Sequence, residues 1–445
     1  MFQQPKPTLP QKYRLGSAQK SPIAIATWPQ FRGPESAGIG LSSKLPIKWS
    51  ATEGVAWRTP LPGRSWSSPI VWGDKLFVTC VIREGESEKP KKGLYFGGER
   101  PEPPKDGHVF KLLCFHVNTG KPIWEVTLHT GAPKTSIHLK SSYGAETPCT
   151  DGERIYCAFG GLGLFAVSMA GKRVWDRTLD PRKTRYGWGY ASSPVVHGGM
   201  VVLVNDNDER AELLALDAKT GREKFSVSRD EKSNWSTPFI WQNAQRTEII
   251  TCGTNAVRSY SLTGQLLWTM RGMSTIVIPT PIAGGGLLYI TSGYVGDSFR
   301  PLYAIRPGAS GDISLAKGER SNTFIAWMQP TGGPYNPSPL YLDGRIYVLY
   351  DRGLVSCYNA QTGNALYEKE RLPDGFAFTV SPWSAAGHIF CLNEDGICYV
   401  FRAGDTFAMV GINRLTDDDM CMATPALAGD KLIIRSSTGL WCIAK

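Results

Sequence analysis

The chain has 445 residues, of which 42% are hydrophobic and 20% are charged, a balance that excludes a disordered chain. No run of 18 apolar residues occurs, so the sequence offers no membrane-spanning helix. The net charge of +10 invites a nucleic-acid interpretation. However, four basic residues and no acidic ones lie in the first 27 residues, and no zinc-finger, RNA-recognition or basic-region pattern is present. We therefore expect no nucleic-acid partner.

The first 27 residues are predicted to form a mobile basic tail. They show no signal peptide, because the apolar stretch of residues 23–26 is too short for one. The ten cysteines are scattered, with no adjacent pair and no CxxC motif. This pattern favours buried thiols over disulfides or a zinc site.

A Ser/Thr-Pro pair recurs eight times between residues 68 and 425. Successive pairs are 79, 46, 44, 43, 58, 43 and 43 residues apart. The two long spacings contain predicted insertions at 83–108 and 307–323. The pairs are Ser68-Pro69, Thr147-Pro148, Ser193-Pro194, Thr237-Pro238, Thr280-Pro281, Ser338-Pro339, Ser381-Pro382 and Thr424-Pro425. Proline lacks an N–H group, so each pair fits the first residues of a strand.

Each pair opens the same pattern of four short β-rich runs. A Gly/Asp-rich turn separates the first two runs, and a Thr-Gly turn often precedes the fourth, which carries a bulky aromatic residue. The aromatic residues are Trp57, Trp124, Trp175, Phe225, Trp268, Trp327, Tyr367 and Phe407. Four-stranded antiparallel units at this period are typical of propeller blades, and we interpret the aromatic series as packing between blades.

The two series are out of phase by one unit. Trp57 precedes the first Ser/Thr-Pro pair, and the last pair is followed by only three runs before Lys445. Residues 55–61 are therefore predicted to form the outer strand of the last blade. The expected fold is all-β: a single eight-bladed β-propeller over residues 28–445, with 28–54 wrapping the outside.

The chain's irregular segments cluster on one predicted face. Strand ends alternate between the two faces of a propeller, so loops between the second and third strands share a face with the connections between blades. Residues 83–108, 205–210, 293–301 and 180–190 all belong to this face, which we call the insertion-bearing face. Segment 307–323 belongs to the other face. Loops on a rigid scaffold commonly carry function.

Residues just before the Ser/Thr-Pro pairs are predicted to surround the channel on the insertion-bearing face. The candidate binding residues are Arg64, Trp66, Tyr143, Glu146, Trp188, Tyr190, Trp235, Asn336 and Met422, with Arg182 from the basic, aromatic segment 180–190. Tryptophan and tyrosine with occasional charges suit a planar ligand, a sugar or a partner peptide. The alternative interpretation is that these side chains plug the channel.

Three motifs resemble the pyrroloquinoline-quinone-type (PQQ-like) β-propeller repeat family. They are the Ala-x-Asp-x-x-Thr-Gly pattern of residues 215–221, the aromatic residue four positions after such glycines, and the Trp-Pro-Gln-Phe-Arg-Gly-Pro opening of residues 28–34. The resemblance is strongest to uncharacterised envelope or secreted members with that opening, and it implies a periplasmic or secreted protein. It extends to a non-catalytic outer-membrane assembly lipoprotein and to quinoprotein dehydrogenases, which use PQQ, calcium and a catalytic aspartate. The vicinal cysteine pair usual in those dehydrogenases is missing here.

No catalytic motif stands out in the sequence. The six histidines lack metal-ligand spacing, no GxSxG or P-loop motif occurs, and the acidic run 205–209 is predicted to be a solvated loop rather than a calcium site. We predict a monomeric, non-catalytic scaffold or binding protein, without cofactor or metal, that presents its insertion-bearing face to a protein, glycan or small ligand. The alternative is a PQQ- and calcium-dependent dehydrogenase of alcohols or sugars.

Overall fold

The computed structural model describes residues 27–85, 91–94, 102–415 and 419–445. Residues 1–26 of the predicted tail and parts of segment 83–108 lie outside this description. The described chain forms eight antiparallel sheets arranged as the blades of a β-propeller, which confirms the predicted fold. Its helical content is confined to two 3₁₀ turns, Pro34–Ser36 and Arg185–Gly187. Within the described residues, no helix is long and apolar enough to cross a membrane.

Two strands, β1 (Thr27–Trp28) and β2 (Val55–Pro60), precede the first blade. Blade 1 contains β3 (Ile70–Trp72), β4 (Lys75–Arg83), β5 (His108–His116) and β6 (Pro122–Gly131). Blade 2 contains β7 (Cys149–Thr150), β8 (Arg154–Phe159), β9 (Gly163–Ser168) and β10 (Arg173–Thr178). Blade 3 contains β11 (Val195–His197), β12 (Met200–Asn205), β13 (Glu212–Asp217) and β14 (Glu223–Ser228). Blade 4 contains β15 (Phe239–Gln242), β16 (Thr247–Thr251), β17 (Val257–Tyr260) and β18 (Leu266–Met270).

Blade 5 contains β19 (Ile282–Gly284), β20 (Leu287–Thr291), β21 (Leu302–Ile305) and β23 (Ile325–Gln329). Segment 307–323 contributes β22 (Gly311–Asp312), which pairs in parallel with β18. Blade 6 contains β24 (Leu340–Leu342), β25 (Arg345–Tyr350), β26 (Leu354–Asn359) and β27 (Ala365–Arg371). Blade 7 contains β28 (Trp383–Ala385), β29 (His388–Leu392), β30 (Ile397–Arg402) and β31 (Met409–Arg414). Blade 8 contains β32 (Ala426–Ala428), β33 (Lys431–Arg435), β34 (Gly439–Ile443) and, outermost, β2.

The ring closes through the pairing of β2 with β34. Val55 lies opposite Ile443 and Pro60 lies opposite Gly439. The pairing joins the N-terminal part of the chain to its C-terminal blade, as the phase offset of the repeats predicts. Closure also covers an edge of β34 that would otherwise expose unpaired backbone groups.

Residues 27–40 run through the centre of the ring, whereas the sequence led us to expect residues 28–54 on the outside. Strand β1 pairs with β3, the innermost strand of blade 1. Pro29 accepts a hydrogen bond from the Thr150 amide of blade 2 (2.9 Å), and Ile39 bridges to Ser384 in blade 7. Trp28 is buried in this position. We call residues 27–40 the channel segment. It covers free edges of short innermost strands, and no local sequence pattern predicts this pairing.

Glycines of the Thr-Gly turns and aromatic residues of the preceding blade pack against each other. A Cβ atom on Gly363 would lie 2.5 Å from Cδ2 of Trp327, and one on Gly221 would lie 2.7 Å from Cδ2 of Trp175. The indole of Trp327 also donates a hydrogen bond to the carbonyl of Ala360 (2.9 Å) in the next blade. These contacts confirm that the aromatic series packs blade against blade, and they explain why glycine is required at the turn.

The hydrophobic core is divided among the junctions between blades. One cluster joins Tyr156 of blade 2 to Leu203 of blade 3, and another joins Tyr289 of blade 5 to Ile346 of blade 6. All ten cysteines are buried and free, as the sequence predicts. Burial raises the pKa of the Cys252 thiol to about 12, so this thiol is protonated and unreactive at neutral pH.

Candidate functional site

The hydroxyl groups of the eight Ser/Thr-Pro pairs surround the central channel. For six of these eight residues, the side-chain oxygen accepts a hydrogen bond from the backbone N–H of the equivalent residue in the preceding blade. The Ser68 amide donates to Thr147 Oγ1 (2.9 Å), and the Thr147 amide donates to Ser193 Oγ (2.9 Å). The other donors with the same geometry are Ser193, Thr280, Ser338 and Ser381. The repeat motif therefore builds a hydroxyl ring that links the blades.

A cavity of about 380 Å³ opens next to the hydroxyl ring, and all eight hydroxyl residues contribute to its lining. The remaining walls come from connections between blades and from second-to-third loops, which places the cavity on the insertion-bearing face. Its aromatic lining consists of Phe31, Trp66, Trp188, Tyr190, Trp235, Tyr294 and Tyr335. Phe31 belongs to the channel segment. A volume of this size and a largely apolar wall with a few polar groups are typical of small-ligand sites.

Hydrogen bonds at their polar atoms hold several of the aromatic side chains. The Trp66 indole donates to the Lys140 carbonyl (2.7 Å), and the Trp235 indole donates to the Gly189 carbonyl (2.8 Å). The rings of Trp188 and Trp235 are 5.8 Å apart between centroids. Anchored rings of this kind lose little conformational freedom when a ligand binds, which favours affinity.

The structure separates the ten predicted binding residues into two groups. Those that line the cavity are Trp66, Trp188, Tyr190, Trp235, Asn336 and Met422. The other four lie beside it. The Arg64 guanidinium is 5.3 Å from the Trp66 ring centroid, and Tyr143 donates to the Thr135 carbonyl (3.0 Å). Glu146 is buried, and Arg182 pairs with Asp180 (3.0 Å).

Several residues that form or flank the cavity belong to no motif by which the sequence could have identified them. Lys140 forms a buried ion pair with Glu394, which lies in the second-to-third loop of blade 7 and also accepts a hydrogen bond from Thr379 Oγ1 (2.6 Å). Lys140 and Glu394 are far apart in the chain, so no spacing rule pairs them. His138 and Tyr294 line the cavity from a blade connection and from an insertion loop.

Three carboxylates connect the loops of the insertion-bearing face; Glu146 and Asp351 are buried and Asp208 is partly buried. Glu146 accepts a hydrogen bond from the Gly160 amide (2.7 Å), Asp208 accepts from the Ser233 amide (3.0 Å), and Asp351 accepts from the Asn336 amide (2.9 Å). Desolvation raises the pKa of Glu146 to about 7 and that of Asp351 to about 6. Each of these acids joins a blade connection to a second-to-third loop, so we call them bridging carboxylates. Their hydrogen bonds join neighbouring loops around the mouth of the cavity.

The acidic run 205–209 is not the solvated loop that the sequence suggested. Asp206 is fully buried and pairs with Arg229 (2.8 Å), and the Asn207 side chain bonds the loop's own backbone. A buried guanidinium therefore neutralises the acid that could have attracted calcium. Among the residues described by the structure, no group of three or more His, Cys, Asp or Glu side chains is arranged to hold a metal ion.

The cavity does not provide the groups that a quinone–calcium pair requires. Calcium takes several oxygen ligands, usually including carboxylates, and the quinone is itself a polycarboxylate that needs cationic partners. Of the described residues that line the cavity, none is an aspartate, glutamate or arginine. Its one lysine, Lys140, is already paired with Glu394. The donor set thus does not fit the cofactor that the family resemblance implies.

Comparisons with known proteins agree with the fold. A family model described as "Outer membrane protein assembly factor BamB" matches residues 44–185 and 105–269, together just over half of the chain. BamB from Moraxella catarrhalis has 12% identity and a TM-score of 0.52, over 76% of this chain and 94% of that one. Quinohemoprotein alcohol dehydrogenase from Comamonas testosteroni has 11% identity and a TM-score of 0.58, over 94% of this chain and 80% of that one.

A europium-containing methanol dehydrogenase is similar as well, with 10% identity and a TM-score of 0.56, over 93% of this chain and 90% of that one. No curated protein sequence matches the chain. At such identities the structural likeness shows the fold alone, and the solved relatives include both an assembly factor and dehydrogenases. The matched family model, the repeat motifs and the eight blades together show that this chain belongs to the PQQ-like, BamB-type β-propeller family.

Proposed function

We propose that this chain is a non-catalytic binding propeller whose central cavity takes a neutral sugar residue of a glycan. The observation that carries the proposal is the combination of aromatic walls with eight hydroxyl residues in one cavity of about 380 Å³. A sugar ring presents apolar C–H faces, which aromatic rings cover, and hydroxyl groups, which need hydrogen-bond partners.

The hydroxyl ring suits this role because of the hydrogen bonds it already makes. Thr147, Ser193 and Thr237 each use their oxygen as an acceptor for the preceding blade. A hydroxyl that accepts in this way still has its own proton to donate. The ring therefore combines fixed oxygen positions with rotatable O–H groups, an arrangement that matches a polyhydroxylated ligand better than a charged one.

A second candidate function is the binding of a protein partner on the same face. Tyr186 and Phe376 belong to two blade connections of this face, and Phe299 belongs to a second-to-third loop; their exposed fractions are 49%, 50% and 37%. Exposed aromatic residues are enriched at protein interfaces. Similarity to BamB, named as an assembly factor, supports this candidate and with it a location in the cell envelope.

A glycan array followed by isothermal titration calorimetry tests the sugar-binding proposal. Trp188→Ala removes an aromatic wall and Ser193→Ala removes a ring hydroxyl, while Trp175→Phe alters a ring at a blade junction and acts as the control. We expect the first two variants to lose at least about tenfold in affinity for the sugar bound by the wild type, with the control unchanged. Equal binding by all proteins, or no glycan bound by the wild type, would refute the proposal.

The other functions are distinguished in parallel experiments. Pull-down from an envelope extract with wild type and Tyr186→Ser/Phe299→Ser protein tests the protein-binding candidate, which predicts capture by the wild type only. Addition of quinone and calcium, with alcohols or sugars and a redox dye, tests the dehydrogenase alternative. Dye reduction that depends on both additions would overturn the non-catalytic proposal.

A further inference from the structure

A second cavity of about 300 Å³ lies between blades 5 and 6 on the insertion-bearing face. We call it the side cavity. It shares the lining residues Val295 and Tyr335 with the central cavity, so the two are neighbours separated by a thin wall. The character of its other residues is different, because three of them, Arg300, Arg352 and Lys369, carry positive charge.

Three cationic side chains and one carboxylate line the side cavity. Arg300 donates through Nε to the Asp297 carbonyl (2.9 Å), and within the described part of the chain neither Arg300 nor Lys369 forms an ion pair. The one carboxylate in the lining, Asp351, is buried and accepts the Asn336 amide (2.9 Å). That bond holds the wall between the cavities and directs this acid toward backbone groups.

Lys369 reaches this position through a distorted strand. Its φ angle is +55°, and among the described strands no other non-glycine residue has a positive φ. The ladder between β26 and β27 shifts register between Val355 and Cys357, and the Lys369 amide donates instead to Ser356 Oγ (2.9 Å), a fully buried side chain. Bulges commonly redirect a side chain, and backbone strain of this kind is concentrated at functional sites.

We propose that the side cavity is a binding site for a small oxyanion, a carboxylate or a sulfate group, recognised by Arg300 and Lys369 with Arg352 at the edge. A guanidinium presents paired N–H donors that match the two oxygens of such a group, and an ammonium adds a compact charge. The site is separate from the sugar site proposed for the central cavity, and it stands or falls independently of that proposal.

Calorimetry at constant ionic strength tests the site with three probes: sodium sulfate, glucuronate, and glucose as the neutral counterpart of glucuronate. The variants are Arg300→Gln and Lys369→Gln. Lys219→Gln, an exposed lysine on the opposite face, is the matched control. Arg300→Lys retains the charge without the guanidinium fork. Thermal melts verify that each variant is folded.

We expect saturable binding of sulfate or glucuronate but not of glucose to the side cavity. Arg300→Gln and Lys369→Gln should each lower the affinity for the oxyanion at least about fivefold. Arg300→Lys should weaken it less, and Lys219→Gln and Trp188→Ala should leave it unchanged. Whether sulfate or glucuronate binds more tightly identifies the oxyanion. The proposal is overturned if neither binds the wild type, if neither side-cavity variant weakens binding, or if Lys219→Gln weakens it equally.

Discussion

Replacing Glu146 by glutamine should make the protein more stable at neutral and alkaline pH. The carboxyl group is buried and its Oε1 accepts the Gly160 amide. Burial raises its pKa from an ordinary value of 4.5 to about 7. At 1.36 kcal/mol per pKa unit, ionising Glu146 therefore costs the folded state about 3 kcal/mol. Glutamine keeps a carbonyl oxygen for the Gly160 amide without carrying a charge.

The direction of the pH dependence follows from proton linkage. A carboxyl group with a raised pKa binds its proton more tightly in the folded state, so its contribution to stability is complete below pH 4.5 and is lost as the pH rises through about 7. Wild type and Glu146→Gln should thus be equally stable near pH 4.5. Near pH 8 the variant should be more stable by up to about 3 kcal/mol.

Urea unfolding followed by tryptophan fluorescence between pH 4.5 and 8 measures this difference. The control is Glu153→Gln, because the Glu153 side chain is 75% exposed and its removal should change stability little at any pH. A constant difference between wild type and Glu146→Gln across this pH range would contradict the raised pKa of Glu146. A variant less stable than wild type at pH 8 would refute it as well.

Three further predictions concern the packing of the propeller. Gly363→Ala should destabilise the protein by roughly 2–3 kcal/mol, because its Cβ would overlap the indole of the preceding blade. Gly344→Ala has a similar positive φ but open space around it, so it should cost about 1 kcal/mol. Equal costs in urea titrations would contradict the packing argument. Trp268→Ala should cost about 3–5 kcal/mol, since its ring is buried, and a loss below about 1 kcal/mol would show that the blade register is wrong. Deletion of residues 1–26 should leave the thermal melt unchanged. Deletion of residues 1–61 removes the channel segment and the closing strand, so it should cause aggregation. Identical melts of the two deletion variants would contradict closure through β2.

The blade count, the closure and the aromatic packing could all be predicted from the sequence, because each depends on a motif that recurs at a fixed spacing. Ser193-Pro194 and its seven equivalents mark the innermost strands, and Trp327 and its equivalents mark the outermost. The residues of the hydroxyl ring also belong to a recurring motif, although the hydrogen bonds between them form only where neighbouring blades pack together.

The identity of the side chains that form the cavities, and the path of the N-terminal segment, depend on long-range contacts that the sequence does not reveal. Lys140 pairs with Glu394, Asp206 pairs with Arg229, and residues 27–40 follow the innermost strands. These contacts involve single positions that do not repeat and are distant in the chain, so no periodicity marks them. A repeat determines the scaffold because every blade packs against its neighbours through equivalent residues. A binding site depends on residues that differ between blades, and these residues come together only when the ring closes.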